Sequence, residues 1–446
     1  MIGIAGSGMS GIAEILASRG FIVSGSDEKE SATLTSLASQ GITTYVGHDA
    51  SQIGEAQYVV ISSAIRESNP ELVAARARGI EIVRRASALA RLLPGKFSVA
   101  VAGTHGKTTT SAMLAQMLDA LGRDPSFVIG SKVTSLGVSA REGRGDVFVV
   151  EADESDGSFL DYRPDGAIIT NVELDHVDNF ASIDEVVNLF TQFIATARDF
   201  VVICADDPLA STLTVPTKLR RITYGFSESS DLVLSEIQEL AEGVSATVQW
   251  QGGSPVELKL SLHGRHNALN AAAVVASALA MGIDLSDAAR AVAGFTGTSR
   301  RFEVKGSGAG VTVIDDYGHH PTEIEATISA ARAVLTTTGR GRLCVVFQPH
   351  RYSRTAAFTD GFAAALSKAD RSFVMEIYSA GEDPLPGVSS QQIAERAINS
   401  THISNRDEVI NEASKWVEPG DLILTLGAGD VTDLGPRIVS ALKARI

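Results

Sequence analysis

An α/β fold in three units is predicted by two features of the chain. Short runs rich in β-branched residues alternate with longer helical patterns, as in parallel sheets covered by helices. Several of those runs end in glycine or polar residues, as strands do where a ligand crevice opens at their C-terminal ends. The length of 446 residues leaves room for two or three domains, each with its own core. The expected strands are MIGIA, YVVIS, FSVAVAG, DVFVVE, GAIITN, FVVICA, VTVID, RLCVVFQ, SFVMEIY and DLILTLG. One boundary is expected near Leu93-Pro94-Gly95. A second is expected at 294–299, where an alanine-rich helix gives way to FTGTSRRFEV. The units are then 1–93, 94–297 and 298–446. Within the middle one, residues 219–265 have an antiparallel character, with VQWQGGSPVELKLSL read as a hairpin, and should form a small added sheet.

Composition narrows the function. Hydrophobic residues make up 44% of the chain and mean hydropathy is +0.12, which predicts a folded protein. The net charge of −15, from 38 basic and 53 acidic residues, argues against nucleic acid or an anionic membrane as partner. It leaves an anionic small ligand open, since that needs only local positive groups. Cys204 and Cys344 lie in the apolar runs VVICAD and RLCVVF, so neither a disulfide nor a zinc site is expected. The glycine-rich start lacks the basic region of a secretory signal, and no apolar run approaches the length of a membrane span. A cytoplasmic protein is expected.

The first unit opens with Gly6-Ser7-Gly8-Met9-Ser10-Gly11, which satisfies G-x-G-x-x-G after a short strand and at the start of a helix. Ser26-Asp27 follows the next strand. This is a Rossmann-like fingerprint, in which glycines admit a diphosphate and the helix N-terminus receives it. NAD is one reading of it, and a glycine-rich turn without a ligand is another.

The middle unit carries VAGTHGKTTTSAM. A phosphate loop normally reads G-x-x-x-x-G-K-[ST]. Gly106-Lys107-Thr108 fits its end, yet the first glycine should fall at Val101 and comes instead at Gly103. Thr104-His105-Gly106 offers backbone N–H groups, Lys107 charge, and the Thr108 hydroxyl a magnesium ligand. Two further strands end in polar residues beside it. DVFVVE ends in Glu151, followed by Ala152-Asp153-Glu154-Ser155-Asp156. GAIITN ends in Asn171, followed by Val172-Glu173-Leu174-Asp175-His176. An acidic run is often no more than a solvated loop, but here the sheet would turn a carboxylate and a histidine toward the phosphates.

The third unit repeats the pattern. VTVIDDYGHHPTE, VVFQPHRYSRT, MEIYSAGE and LTLGAGD each place polar or glycine residues after a strand. Arg351 and Arg354 stand three apart at a helix start, where both can face one anion. Asp315, Asp316, His319 and His320 cluster in sequence. Adjacent histidines project differently, which favours polar substrate contacts over a metal site.

AGTHGKTTT, EADESD, NVELDH, GRHNALNAAA, SRRFE, DDYGHHPTE, FQPHRYSRT and GAGD, in this order, resemble the Mur ligase family of ATP-dependent peptide-bond-forming enzymes. The resemblance spans nearly the whole chain. It implies a shortened phosphate loop, G-T-x-G-K-[ST], beginning at Gly103, with Thr109 an added ATP contact. It also implies that the glycine-rich turn holds a UDP-sugar, with Ser26, Asp27 and the turn Ser62-Ser63-Ala64-Ile65. The turn reads GIAGSGM where the family usually has GIGGAGM, so Ala5 and Ser7 depart from the pattern. The expected catalytic residues are Lys107, Glu151, His176, Arg300 and Arg301. Magnesium is expected at Thr108, Glu151 and His176. His266, Asn267, Asn270 and Asp315 are expected ATP contacts. Tyr317, His319, Arg351 and Arg354 are expected to take the amino acid. Sister ligases place a carbamylated lysine soon after the D-H motif. Here no lysine lies between Val177 and Thr217, which agrees with the member that joins L-alanine to UDP-N-acetylmuramate. The expected architecture is Rossmann-like, then a phosphate-loop ATPase-like parallel sheet with an added small sheet, then Rossmann-like. A monomer or weak homodimer is expected. The alternatives are a ligase that reattaches a recycled tripeptide, an NAD-dependent oxidoreductase, and a non-catalytic nucleotide-binding regulator.

Overall fold

The computed structural model describes residues 1–62, 64–339 and 341–445. Three sheet systems follow in chain order. In the first, Ser24–Asp27 pairs in parallel with Thr43–Val46, and Tyr58–Ile61 with Glu81–Arg84. Ile2 joins the two pairs through parallel bridges to Ser26 and Ile61. The expected MIGIA strand is therefore reduced to one bridging residue. Gly3, at φ +74°, leaves the extended region and turns the chain into the helix Ser7–Ser18.

The middle sheet is a single ladder of ten strands. Its parallel part runs Arg220–Gly225, Phe200–Cys204, Gly166–Ile169, Phe97–Ala102, Val147–Glu151, Ser126–Val128. The central strands are mostly apolar because both faces are covered, whereas Arg220–Gly225 begins with two exposed arginines. Val99 and Val101 enter the core on one face, and Ala100 and Ala102 enter the core on the other. The antiparallel addition expected over 219–265 is present as Leu232–Leu240, Gly243–Trp250 and Val256–Leu260. It continues the middle sheet at its edge, and Arg220–Gly225 is parallel, not antiparallel, because it pairs with Phe200–Cys204.

The third sheet is ordered Glu303–Gly308, Val311–Asp316, Leu422–Leu426, Leu343–Phe347, Arg371–Val374, Ser400–His402. All but the Glu303–Gly308 edge are parallel. Its helices fill two further cores, one on each face.

The first unit has no separate core on its inner side. Met9, Ile12, Ile15 and Leu89 pack into the same cluster as Ala100, Phe148 and Val150 of the middle sheet. Residues at the C-terminal ends of the middle strands and of the third sheet share two cavities, Asn171 with Asp316 in one and Glu151 with Tyr317 in the other. Cys204 and Cys344 are buried and free. No helix among the described residues is long and apolar enough to cross a membrane.

Candidate active site

The phosphate loop joins strand Phe97–Ala102 to helix Lys107–Ala120. Gly103, at φ +137°, passes so close to Thr170 that a Cβ there would lie 2.0 Å from its Oγ1. The shortened loop is thus pressed against the neighbouring strand end. Asn171 completes it, accepting from the His105 N–H through Oδ1 at 2.8 Å and donating from Nδ2 to the His105 carbonyl at 3.0 Å. Lys107 Nζ folds back on the loop, donating to the Gly103 carbonyl at 2.6 Å and the Thr104 carbonyl at 3.0 Å. It also lies 2.9 Å from Glu154 Oε2. Glu154 is buried, and burial pushes its carboxyl up to about 7 against the pull of Lys107.

A hard divalent cation needs oxygen donors converging on a cleft. Thr108 donates its hydroxyl to Glu151 Oε1 at 2.8 Å, and the Gly130 N–H holds Glu151 Oε2 at 2.7 Å. Thr108, Glu151 and His176 line one cleft of about 450 Å³. Burial, opposed by Asp175, lowers the pKa of His176, so its imidazole is neutral at pH 7 and has a free lone pair. Its φ of +51° is strained for a residue with a side chain. The set fits magnesium at Thr108 and Glu151 on oxygen chemistry, with His176 a softer donor beside them.

The same cleft reaches the first unit at Gly8 and Arg85, and the third at Arg300, Arg301, Tyr317 and His319. Arg85 lies over Gly8, where a Cβ would meet its Nη1 at 2.6 Å, and binds Asp153 at 3.2 Å. Gly6 caps the helix Ser7–Ser18, and Asp27 Oδ2 accepts from the Ala5 N–H at 3.0 Å. Ser62 and Ile65 sit against Gly3, on the neighbouring turn, with Ala64 exposed between them. Two expected sugar-nucleotide contacts are committed elsewhere. The Met9 side chain is core, and Ser26 Oγ is buried, donating to Glu71 Oε1 at 2.5 Å. Met9 and Ser26 can then offer a ligand only their backbone. Ser10 is buried on the same helix. Ser63 and the side chain of Ser7 lie outside the described residues.

A second cavity, of about 290 Å³, lies between the middle and third sheets. His105, Gly106, Thr109, His266, Asn267, Asn270 and Arg301 line it. Burial and Arg301 lower His266 to about 4, which keeps it neutral. Here one expectation is corrected. Asp315 does not line this cavity. It is fully buried, and its carboxylate is taken by Thr425 Oγ1 at 2.7 Å, Thr432 Oγ1 at 2.8 Å and Arg300 Nε at 3.3 Å. Alternation along Val311–Asp316 turns Asp315 inward and its neighbour Asp316 toward the cavity. Arg300 is likewise held by the carbonyls of Gly427 and Ala428, whereas Arg301 lines both cavities.

The third sheet is docked on the middle one through charge. Arg354 grips Asp175 with Nε at 3.0 Å and Nη2 at 2.8 Å from Oδ1 and 3.1 Å from Oδ2, and both residues are buried. Arg351, at φ +69°, binds Asp178 at 2.7 Å. Tyr317 and His319 are packed edge to face, 5.2 Å between centroids, and burial holds His319 near 3 and neutral. His105 Nε2 is 2.9 Å from Glu173 Oε2, and its Nδ1 is 3.3 Å from Glu323 Oε1. His320 stacks on it at 4.8 Å. His105, Glu173 and His320 bring ligand-type atoms within 4.8 Å of one another. The 2.9 Å contact is nonetheless an ion pair that leaves no space for a cation between its members. Burial opposes the charge of His105, but hydrogen bonds from Glu173 and Glu323 outweigh it and raise its pKa to about 9.

Glu323 and Arg85 were not singled out from the sequence. Glu323 had a readable signal. It is three residues after His320, which caps the helix Pro321–Thr338, and the two form a capping box. Arg85 had none, since it lies in an ordinary helical run.

The arrangement is that of a multi-unit α/β enzyme with a phosphate loop, whose cleft is closed by a unit remote in sequence. Residues 1–96 match the model of the Mur ligase family catalytic domain, 101–278 the Mur ligase middle domain, and 300–429 the Mur ligase glutamate ligase domain. The chain belongs to the Mur ligase family. It is 48% identical over 451 residues to a UDP-N-acetylmuramate--L-alanine ligase of Thermobifida fusca, covering 99% of this chain and 96% of the relative. A protein of the same name from Paenarthrobacter aurescens is 48% identical over 447 residues, with the same coverages. Among solved structures, the UDP-N-acetylmuramate-alanine ligase of Thermotoga maritima superposes with a TM-score of 0.84 at 31% identity, covering 100% of this chain and 99% of that one. A murein peptide ligase of Psychrobacter arcticus superposes at 0.73 with 25% identity, covering 99% and 98%.

Proposed function

We propose that this chain joins L-alanine to the lactyl carboxylate of UDP-N-acetylmuramate with ATP, releasing ADP and phosphate, a step in making peptidoglycan precursor. One observation carries the reading. A single cleft is lined by the glycine turn of the first unit, Lys107 of the phosphate loop and Tyr317 and His319 of the third unit. A ligase needs sugar nucleotide, ATP and amino acid to meet in such a place. In this reading residues 1–93 take the UDP-sugar, 94–297 the ATP and 298–446 the amino acid.

The lactyl carboxylate is a poor acyl donor. Its oxygen attacks the γ-phosphorus and ADP leaves. The alanine amine, having lost its proton, attacks the acyl carbon, and phosphate departs from the tetrahedral intermediate. The first step brings anions together, so positive charge must surround them. Lys107 and Arg301 supply it from opposite units. Thr108, Glu151 and His176 are the residues to hold magnesium, which would neutralise phosphate charge when bound. Asn267, Asn270 and His266 take the adenosine in the second cavity, with Asp316 in the role expected of Asp315. Arg351 and Arg354 face the alanine carboxylate, for which a guanidinium suits.

The test is phosphate release with ATP, magnesium and UDP-N-acetylmuramate, with each amino acid added in turn. Alanine should drive turnover far above every larger amino acid. Turnover with a tripeptide but not with alanine would replace this reading with that of a peptide-recycling ligase.

A further inference from the structure

Arg354 and Asp175 form a closed ion pair across the seam between the middle and third sheets. Two of the guanidinium's nitrogens meet the carboxylate, the geometry arginine uses for a free carboxylate ligand. Asp175 lies on the wall of the catalytic cleft beside His176 and His319. The other carboxylates on that wall are engaged differently. Glu151 is held by Thr108 and Gly130, Asp153 by Arg85, and Glu323 by His105, His319 and Arg301. Asp175 alone among them is tied to an arginine expected to take the amino acid.

We propose that Asp175 is the amino-acid site's own placeholder and its ammonium anchor. Without substrate its carboxylate occupies Arg354. When alanine enters, the substrate carboxylate takes Arg354 and the substrate ammonium takes Asp175, so the zwitterion inserts into the pair. This inference rests on the ligase reading above. Its physical basis is that two buried charges separated without replacement are strongly unfavourable. A zwitterion replaces both partners at once, whereas a lone carboxylate or a lone amine strands one of them. The pair therefore selects α-amino acids over acids and amines of the same size. It also sets the nitrogen beside His176, whose Nε2 lies 3.9 Å from Asp175 Oδ2, in the cleft that Lys107 also lines.

The experiment uses the full-length enzyme and the isosteric Asp175→Asn variant. Two quantities are read: the KM for alanine, and the inhibition constant of propionate, which is alanine without its amine. Asp175→Asn should raise the alanine KM by about 100-fold, the scale for losing one partner of a buried charge pair. It should also tighten propionate binding by about tenfold, because the internal competitor for Arg354 is gone. UDP-N-acetylmuramate affinity, measured by calorimetry, should stay within about threefold. A merely structural role moves alanine and propionate in the same direction, and that result, or no change in either, overturns the proposal. If Asp175→Asn does not fold, Asp175→Glu takes its place. Keeping the charge, it should preserve the preference for alanine over propionate, and loss of that preference would count against the anchor. A wild-type enzyme with no alanine-dependent phosphate release would remove the ligase reading itself, so the two failures are distinct.

Discussion

Lys107 is the residue on which the chemistry of the middle unit turns. In the ligand-free loop its ammonium is satisfied by two loop carbonyls and Glu154. A triphosphate in the loop would offer it stronger, charge-assisted partners. Glu154, with its carboxyl near 7, is a counter-ion that gives up little when the lysine turns away. Glu151 stands differently, fixed by a hydroxyl and an amide and facing the cleft. The two glutamates of EADESD are therefore divided, one beside the lysine and one beside the proposed cation. Lys107→Ala should reduce phosphate release by about 10³-fold or more, the scale for an electrostatic contact made to the transition state. Binding of UDP-N-acetylmuramate should hardly change, because the glycine turn at Gly6 belongs to another sheet. Calorimetry with the sugar nucleotide decides this, and an equal loss of that affinity would refute the division of sites.

At the scale of elements, the phosphate loop works because a strand end, a tight turn and a helix N-terminus leave no freedom. Gly103→Ala places a Cβ on Thr170 and forces a residue with a side chain to φ +137°. The variant should lose several kcal/mol of stability in the middle unit and bind ATP at least about tenfold more weakly. Retained ATP affinity with an unchanged melting temperature would contradict the geometry drawn here. The sequence made much of this legible. Strand-end motifs pointed Lys107, Glu151 and His176 toward one crevice, because in a parallel sheet the C-terminal ends converge regardless of connection length, and all three line one cleft. It misplaced Asp315 against Asp316, because a one-residue choice of face depends on where the strand's alternation starts. It assigned Met9 and Ser26 to the ligand when packing claimed their side chains. It did not reveal Arg85, nor that Arg351 and Arg354 pair with Asp178 and Asp175, since contacts between units 170 residues apart leave no local pattern.

The molecule as a whole is held closed by charges that meet across one seam. Arg354–Asp175 and Arg351–Asp178 are two such contacts, and His105 makes a third. It belongs to the phosphate loop, and the groups that face it are Glu173 from the middle sheet and Glu323 and the stacked ring of His320 from the third. His320 is itself lowered, by burial first, and stays neutral. Thr322 fastens Glu173 from the third unit at 2.8 Å. When the units part, His105 keeps Glu173, which belongs to its own sheet, and loses Glu323; docked, it titrates at about 9. To the extent that Glu323 raises its pKa, this base stabilises the docked state at lower pH, and that contribution is lost as pH rises through about 9. The third unit should therefore open between pH 7 and 9.5 in the absence of ligands. Scattering should show a growing radius of gyration over that range, and amides at the start of helix Pro321–Thr338 should exchange faster. His105→Gln keeps a polar group but cannot carry the charge, so its opening should be shifted and nearly independent of pH in that window. The difference between wild type and variant isolates His105 from the other titrating groups. If both proteins open along the same pH curve, the seam is not held by this imidazolium.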